Sequence, residues 1–315
     1  MEPPFRLIDL DRSTEPQHQP GQSVLVGVAD RPRPAGDAFD VLLTAVPDPP
    51  RPWVGCADPD AVVRLLRERV TRQPAAAVTL VQVLRTGAAL PAPDRLVLES
   101  LAYSALQGGA GFRDWLAGAP ARTPRPAAEP VLLRRDGGRL TVTLDRPRVR
   151  NAFDAATRDA LCEALEVAVA DPTVTRVDLR GNGPAFCSGG DLAEFGTSRD
   201  PAAAHLVRVG RSPAALLLRC AARVTAHLHG ACVGAGIELA AFAGRVRAAP
   251  DTTVRLPELG MGLIPGAGGT ASLPVRIGRR RTAYLALTGT PLGAAEAYAW
   301  GLVDEIDEID EDAGA

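Results

Sequence analysis

The chain of 315 residues contains no lysine: all 35 of its basic residues are arginine. Schiff-base chemistry and lysine general bases are thereby excluded, and any phosphate group must be met by Arg or by backbone N–H groups. Cysteine is sparse. Cys56, Cys162, Cys187, Cys220 and Cys232 are odd in number and widely spaced, without a C-x-x-C pair, which fits a reducing compartment better than a disulfide framework. The four histidines, His18, His205, His227 and His229, lack H-E-x-x-H spacing. His227 and His229 stand two apart in a strand-like run and read as sheet residues rather than a metal pair, so no metal site is expected. No apolar run reaches the roughly 18 residues that a membrane helix needs. The start, MEPPFRLIDLDR, is neither basic nor followed by a long apolar stretch, so no signal peptide and a cytoplasmic location are expected. Charge of one sign is also missing in any block. The 35 basic and 37 acidic residues are interleaved, which points away from nucleic acid and anionic membrane as partners.

What is present is a soluble composition, 46% hydrophobic, and enough length for one large domain or two ordinary ones. The Pro- and Ala-dense stretch AGAPARTPRPAAEP (117–130) lacks apolar periodicity and reads as a linker, placing a boundary near residue 125. Residues 1–125 then form a small α+β or mostly helical unit of unknown role. Within it, 60–70 and 94–106 have helical spacing, while 39–46 and 75–84 could be strands.

Residues 126–315 alternate strand and helix, implying an α/β layered unit. RLTVTL (139–144) is a period-2 strand with Leu140, Val142 and Leu144 on one face. Asp154 suits an N-cap for a helix through about Val169, striped by Leu161, Leu165 and Val169 and ended by Pro172. RVDLRG (176–181), RVTAHL (223–228) and GRVRAA (244–249) are further strands.

Three glycine-rich segments follow strand-like runs: FCSGGDLAEF (186–195), HGACVGAGIELAAF (229–242) and PELGMGLIPGAGGT (257–270). None is followed by Lys-Ser/Thr, which excludes a Walker loop, and none carries G-x-G-x-x-G. Glycine frees backbone N–H groups to face outward, and two converging N–H groups make an oxyanion hole. Two acids stand where burial is costly. Glu238 is flanked by Ile237, Leu239 and Ala240, and Glu258 is alone in an otherwise chargeless loop. Buried carboxylates acquire raised pKa values or dedicated partners, and a displaced pKa is what proton transfer requires.

FCSGGDL, HGACVGAGIEL and PELGMGLIPGAGGT, in that order, closely resemble the crotonase (enoyl-CoA hydratase/isomerase) family. The resemblance runs from about Val131 to Asp304 and includes RPRVRNAF (146–153) and ALTGTPLGAAEAYAWGLVDEI (286–306). It implies a core of spiralled ββα units, an acyl-CoA substrate with no cofactor beyond the CoA it carries, and a homotrimer or dimer of trimers. Carried over by position, it implies an oxyanion hole from the backbone N–H groups of Gly190 and Ala235. Glu238 would activate a water toward C3 and Glu258 would deliver a proton to C2, the two carboxyls titrating jointly. The CoA would lie against Val149, Arg150, Ser188 and Leu192. Asp191 reads as a brace for its loop and Cys187 as a poor candidate for a nucleophile. The leading reading is an enoyl-CoA hydratase or dehydratase. The alternatives are an enoyl-CoA isomerase, a cofactor-free acyl-CoA oxygenase similar to dihydroxyphenylacetyl-CoA dioxygenase, and a non-catalytic scaffold.

Two departures from the family pattern stand out. Gly244 occupies a position where members usually have Asp, and typical members continue past the position of Asp304 through helices that cover the acyl-CoA. The apolar helical stretch LVLESLAYSAL, with Leu96, Leu98, Leu101 and Leu106, makes the N-terminal unit a candidate to dock on the core and serve instead.

Overall fold

The computed structural model describes residues 3–13, 21–125 and 127–307; His18 lies outside them. The first unit opens with four short strands, β1 (Phe5–Asp9), β2 (Val24–Val28), β3 (Val41–Thr44) and β4 (Val54–Gly55), paired in parallel in that order. Leu25, Val26, Val41, Leu42 and Leu43 are fully buried, as expected of parallel strands covered on both faces. Four helices follow: α1 (Pro59–Arg72), α2 (Pro74–Gly87), α3 (Ala92–Gln107) and α4 (Ala110–Gly118). Asp58 caps α1 by accepting the Ala61 N–H at 2.8 Å, and Pro59 and Pro74 start their helices at a position that needs no N–H donor.

The strand expected over 75–84 is not there; that stretch is the middle of α2. Its buried residues, Ala76, Ala77, Leu80, Val81 and Leu84, recur at helical spacing, and the run of Ala75, Ala76 and Ala77 favours helix. Strands β1 and β2 were not anticipated. Asp40, beside β3, ties this unit together from inside: it accepts the Leu25 N–H at 2.8 Å and pairs with Arg85 of α2, whose Nε lies 2.8 Å from Asp40 Oδ1.

The second unit comprises β5 (Val131–Asp136), β6 (Arg139–Leu144), α5 (Ala155–Ala170), β7 (Arg176–Gly181), α6 (Pro201–Gly210), α7 (Pro213–Cys220), β8 (Val224–Leu228), β9 (Ala231–Val233), α8 (Ala235–Ala240), β10 (Arg245–Ala248), β11 (Thr253–Arg255), α9 (Gly269–Thr288), β12 (Leu292–Gly293), α10 (Ala294–Trp300) and β13 (Glu305–Ile306). Six strands form one sheet in the order β13-β10-β8-β7-β6-β5, and β12-β11-β9 form a second. The architecture is α/β. Asp154 caps α5 through the Thr157 N–H at 2.8 Å, Leu161 and Leu165 are buried, and the helix stops one residue before Asp171-Pro172.

The two units meet on α9. Helices α1, α2 and α3 all pack against it, and the buried apolar cluster runs without a break from Val24 and Leu80 to Leu273 and Leu285. At Gly278 the backbone of α9 turns to φ 78°, a left-handed value that glycine reaches without strain. Three arginines follow the break and grip carbonyls of the first unit. Arg279 Nη1 donates to Phe39 O at 3.0 Å, Arg280 Nε to Phe39 O at 3.1 Å, and Arg281 Nε to Trp53 O at 3.1 Å. Gly244 sits where its N–H meets Ala221 O at 2.8 Å; a Cβ there would lie 2.7 Å from that oxygen, so the closely approaching backbone leaves no room for a side chain. Among the described residues no helix is long and apolar enough to cross a membrane.

Candidate active site

The short helix α8 exists because β9 turns sharply through Gly234, at φ 48°, and because Gly236 lets the helix approach Cys187. A Cβ on Gly236 would lie 2.6 Å from Cys187 O. This packing puts Glu238 on the inward face of α8, 2% exposed, with Oε2 accepting the N–H groups of Ala267 at 2.7 Å and Gly269 at 2.9 Å. Glu258 opens the single 3-10 turn Glu258–Met261 after β11. As a residue it is half-buried, yet its Oε2 is sealed and has no hydrogen-bond partner among the described residues. A Cβ placed on Gly234 would lie 2.5 Å from Glu258 Oε1 and 3.8 Å from Glu238 Oε1, so both carboxylates converge on one glycine.

Burial is the main force on both acids. It lifts Glu258 to about 8, with the Glu99 carboxylate adding to the rise and its own backbone N–H and Arg255 opposing it. Burial likewise raises Glu238 well above the usual carboxylate range, and Glu258 and Glu99 push in the same direction. Two such acids cannot both be comfortably ionised, and they titrate as a pair.

Both acids line one cavity of about 430 Å³, together with Gly190 and Ala235. Gly190 lies beside Phe153 in a parallel bridge: Phe153 N–H donates to Gly189 O at 2.8 Å and Asp191 N–H donates to Phe153 O at 2.9 Å. That pattern turns the N–H of Gly190 itself away from Phe153. Ala235 is the first residue of α8, a position whose N–H has no partner within the helix. A Cβ on Gly190 would meet the Phe195 ring at 2.9 Å, so the position favours glycine.

Of the positions expected to hold CoA, three are brought together. Ser188 N–H donates to Arg150 O at 2.9 Å and Ser188 Oγ to Val149 O at 3.3 Å. Arg150 and Asn151 both take left-handed φ values, 54° and 53°. Buried Asn151 holds that turn by accepting the Arg146 N–H at 2.7 Å and donating to the carbonyls of Asn182 and Ala185, each at 2.9 Å. Leu192 lines a surface hollow with Trp115 and Met261. Cys187 is buried and its thiol is pushed up to about 12 by burial, far from a thiolate nucleophile. His227 and His229 have different partners: His227 Nε2 lies 2.6 Å from Asp178 Oδ1, and His229 Nε2 lies 2.9 Å from Gly183 O.

The far wall of the cavity comes from the first unit, from the α3 stretch expected to dock on the core, but its polar residues Glu99, Ser100 and Gln107 were not singled out in the sequence. Leu96, Glu99, Ser100, Tyr103 and Gln107 of α3 line it at helical spacing. Helix α3 buries Glu99, Ser100 and Ser104 along with Leu106, whereas Leu101 is 51% exposed, so its inward face mixes polar and apolar residues. The available signal was Glu99 itself, a single acid between Leu98 and Ser100 with no basic residue within four positions C-terminal to it. The Tyr103 ring lies where a Cβ on Gly266 would come within 2.5 Å, and Arg208 of α6 stacks over the ring, 4.9 Å from its centroid.

Comparison with known proteins gives the family of the second unit. The enoyl-CoA hydratase/isomerase family model matches residues 134–311, more than half of the chain. The chain belongs to the enoyl-CoA hydratase/isomerase family, within the crotonase superfamily. It is 33% identical over 174 residues to an enoyl-CoA isomerase/hydratase of Mycosarcoma maydis, covering 52% of this chain and 64% of that one. It is 33% identical over 167 residues to the 2,3-dehydroadipyl-CoA hydratase of Escherichia coli, covering 53% and 65%. A peroxisomal bifunctional enzyme of Danio rerio is 36% identical over 171 residues, 53% of this chain and 22% of that protein. The chain thus spans less than two thirds of the length of these curated relatives. Among solved structures, an enoyl-CoA hydratase from Thermoplasma volcanium superposes with a TM-score of 0.52 at 32% identity, over 59% of this chain and 75% of that one. An enoyl-CoA hydratase/isomerase from Mycobacterium paratuberculosis does so at 0.53 and 28%, over 58% and 74%. The family model begins at residue 134, so the α3 wall lies outside it.

Proposed function

We propose that this family member adds water to a 2-enoyl-CoA, or removes it from the corresponding 3-hydroxyacyl-CoA. The observation that carries the reading is the facing of Glu238 and Glu258 into one cavity beside the N–H groups of Gly190 and Ala235. The thioester oxygen accepts both N–H groups, and each donor contributes about 3 kcal/mol once charge has moved onto that oxygen. A water between the two carboxyls loses a proton to Glu238 as its oxygen bonds to C3. The resulting enolate takes a proton at C2 from Glu258. The pair therefore needs one proton between its two carboxyls, which the raised pKa values supply at neutral pH.

The CoA moiety is assigned to the Val149, Arg150 and Ser188 turn and to Leu192, with no cofactor beyond the CoA of the substrate. Assembly as a homotrimer or dimer of trimers and a cytoplasmic location belong to the same proposal. The test is incubation with crotonyl-CoA and with longer and aryl enoyl-CoAs, following loss of the conjugated thioester absorbance. An unchanged spectrum with every substrate sinks the reading. An isomerase would shuttle one proton between C2 and C4 on Glu258 alone, so full activity on a 3-enoyl-CoA in Glu238→Gln would favour it instead.

A further inference from the structure

Glu99 belongs to α3, outside residues 134–311, yet it shares the cavity of Glu238 and Glu258 and is 2% exposed. Its Oε1 accepts the Gly268 N–H at 2.6 Å, and its Oε2 accepts the Thr270 N–H at 2.7 Å and the Thr270 hydroxyl at 2.6 Å. Glu238 takes the N–H groups of Ala267 and Gly269. Four consecutive amides at the start of α9 are thus shared in alternation by two carboxylates, one from each unit. These are donors that a helix start cannot satisfy internally, and its dipole favours negative charge there.

We infer, on the hydration reading above, that Glu99 is a positioning residue for the reaction: it fixes the amide ladder from which Glu238 hangs and sets a third negative charge beside the Glu238–Glu258 pair. An acid that served only to cap α9 would need neither the alternation with Glu238 nor a place on the cavity wall. The groups facing Glu99 come from every element around it. Thr270 of α9, Arg208 of α6 and Tyr103 of α3 surround it, with Glu238 of α8 and Glu258 of the 3-10 turn across the cavity. Burial lifts Glu99 to about 7, against the opposing pull of its Thr270 and Gly268 donors and of Arg208. Its three donors and Arg208 favour the ionised form, whereas Glu258 Oε2 has no donor among the described residues, so Glu99 gives up its proton before the pair does. A negative neighbour holds that proton on, so removing the charge lets it leave at lower pH.

The test compares the pH profile of kcat/KM for hydration in the wild type and Glu99→Gln. The expected result is a kcat lower by on the order of tenfold, from displacement of Glu238, with the alkaline limb moved to lower pH by about half a unit or more. Thr270→Val carries the same test if Glu99→Gln does not fold: it keeps the carboxyl and removes one donor, so Glu99 ionises less readily and the limb moves in the same direction by less. An alkaline limb that stays in place in the folded variant, with only the melting temperature lowered, reduces Glu99 to a helix cap and overturns the inference while leaving the hydration reading intact. A wild type that leaves every enoyl-CoA unchanged overturns both.

Discussion

Buried Arg146 bridges to half-buried Asp191, Nη2 to Oδ2 at 3.1 Å, and the same guanidinium nitrogen reaches Asp154 at 2.9 Å. Asp191 directly follows Gly190, so the bridge anchors the loop that carries one of the two proposed oxyanion donors to the cap of α5. The side chain of Asp191 accepts the Ala193 N–H at 3.0 Å as well, which completes its role as a brace. Asp191→Ala should leave the Arg146 charge with one acid partner fewer and cost about 3 kcal/mol of stability. Hydration should fall through kcat, not KM, as Gly190 shifts. Denaturant unfolding and steady-state kinetics together check both.

Glu238→Gln and Glu258→Gln should each lower hydration by on the order of 10²-fold or more, with the double variant little worse than either, because groups acting as a unit are not additive. Steady-state hydration of crotonyl-CoA measures it. Full activity in Glu238→Gln would remove the two-acid mechanism.

The pH dependence follows from the raised acids. Below about 8, Glu258 keeps its proton, so hydration should hold at neutral pH and decline along an alkaline limb near 8. The same shift acts on stability with a definite sign. A folded pKa raised from 4.5 means the native state binds more protons than the unfolded chain between those values, so stability falls as pH rises through that window. Glu258→Gln should flatten this dependence in urea titrations at successive pH values.

Replacing Gly190 by Pro removes one N–H donor and should raise the barrier by about 3 kcal/mol, in addition to any backbone damage. Gly190→Ala keeps the donor but pushes a methyl against the Phe195 ring, so it should cost less in rate. Equal rates for the two variants, both folded, would place the oxyanion donor elsewhere.

At the joint between the units, Arg281 is buried and donates to Trp53 O and to Pro49 O at 3.0 Å. Arg281→Met keeps the bulk and strips both carbonyls of their donor, which should cost about 2–4 kcal/mol of stability. A fall in melting temperature measures it, and an unchanged one would mean that water replaces the guanidinium.

Much of the second unit was legible from local pattern. The strands at 139–144 and 176–181 and the capped helix after Asp154 are set by period and by a single side-chain acceptor, both of which sequence displays. The two acids stood out because charge is rare in their surroundings. The first unit was harder for a physical reason. In α2, alanines and β-branched residues gave an apolar run of strand length, and only packing on α9 resolves it as helix. In α3 the inward face is partly polar, because Glu99, Ser100 and Ser104 are satisfied by Gly268, Thr270, His205, Arg208 and Pro201, which lie about a hundred residues or more away. Hydrophobic periodicity carries no trace of partners so distant.

The alternating amides at the start of α9 also fix an order of events in synthesis. Glu99 and its partner Gly268 are 169 residues apart, so about half of the chain must leave the ribosome between the making of the acid and the making of its donor. Chains emerge N-terminus first, so through that interval the backbone donors of Glu99 do not yet exist. The burial of Glu99 among these donors therefore waits on the making of Gly268 and Thr270.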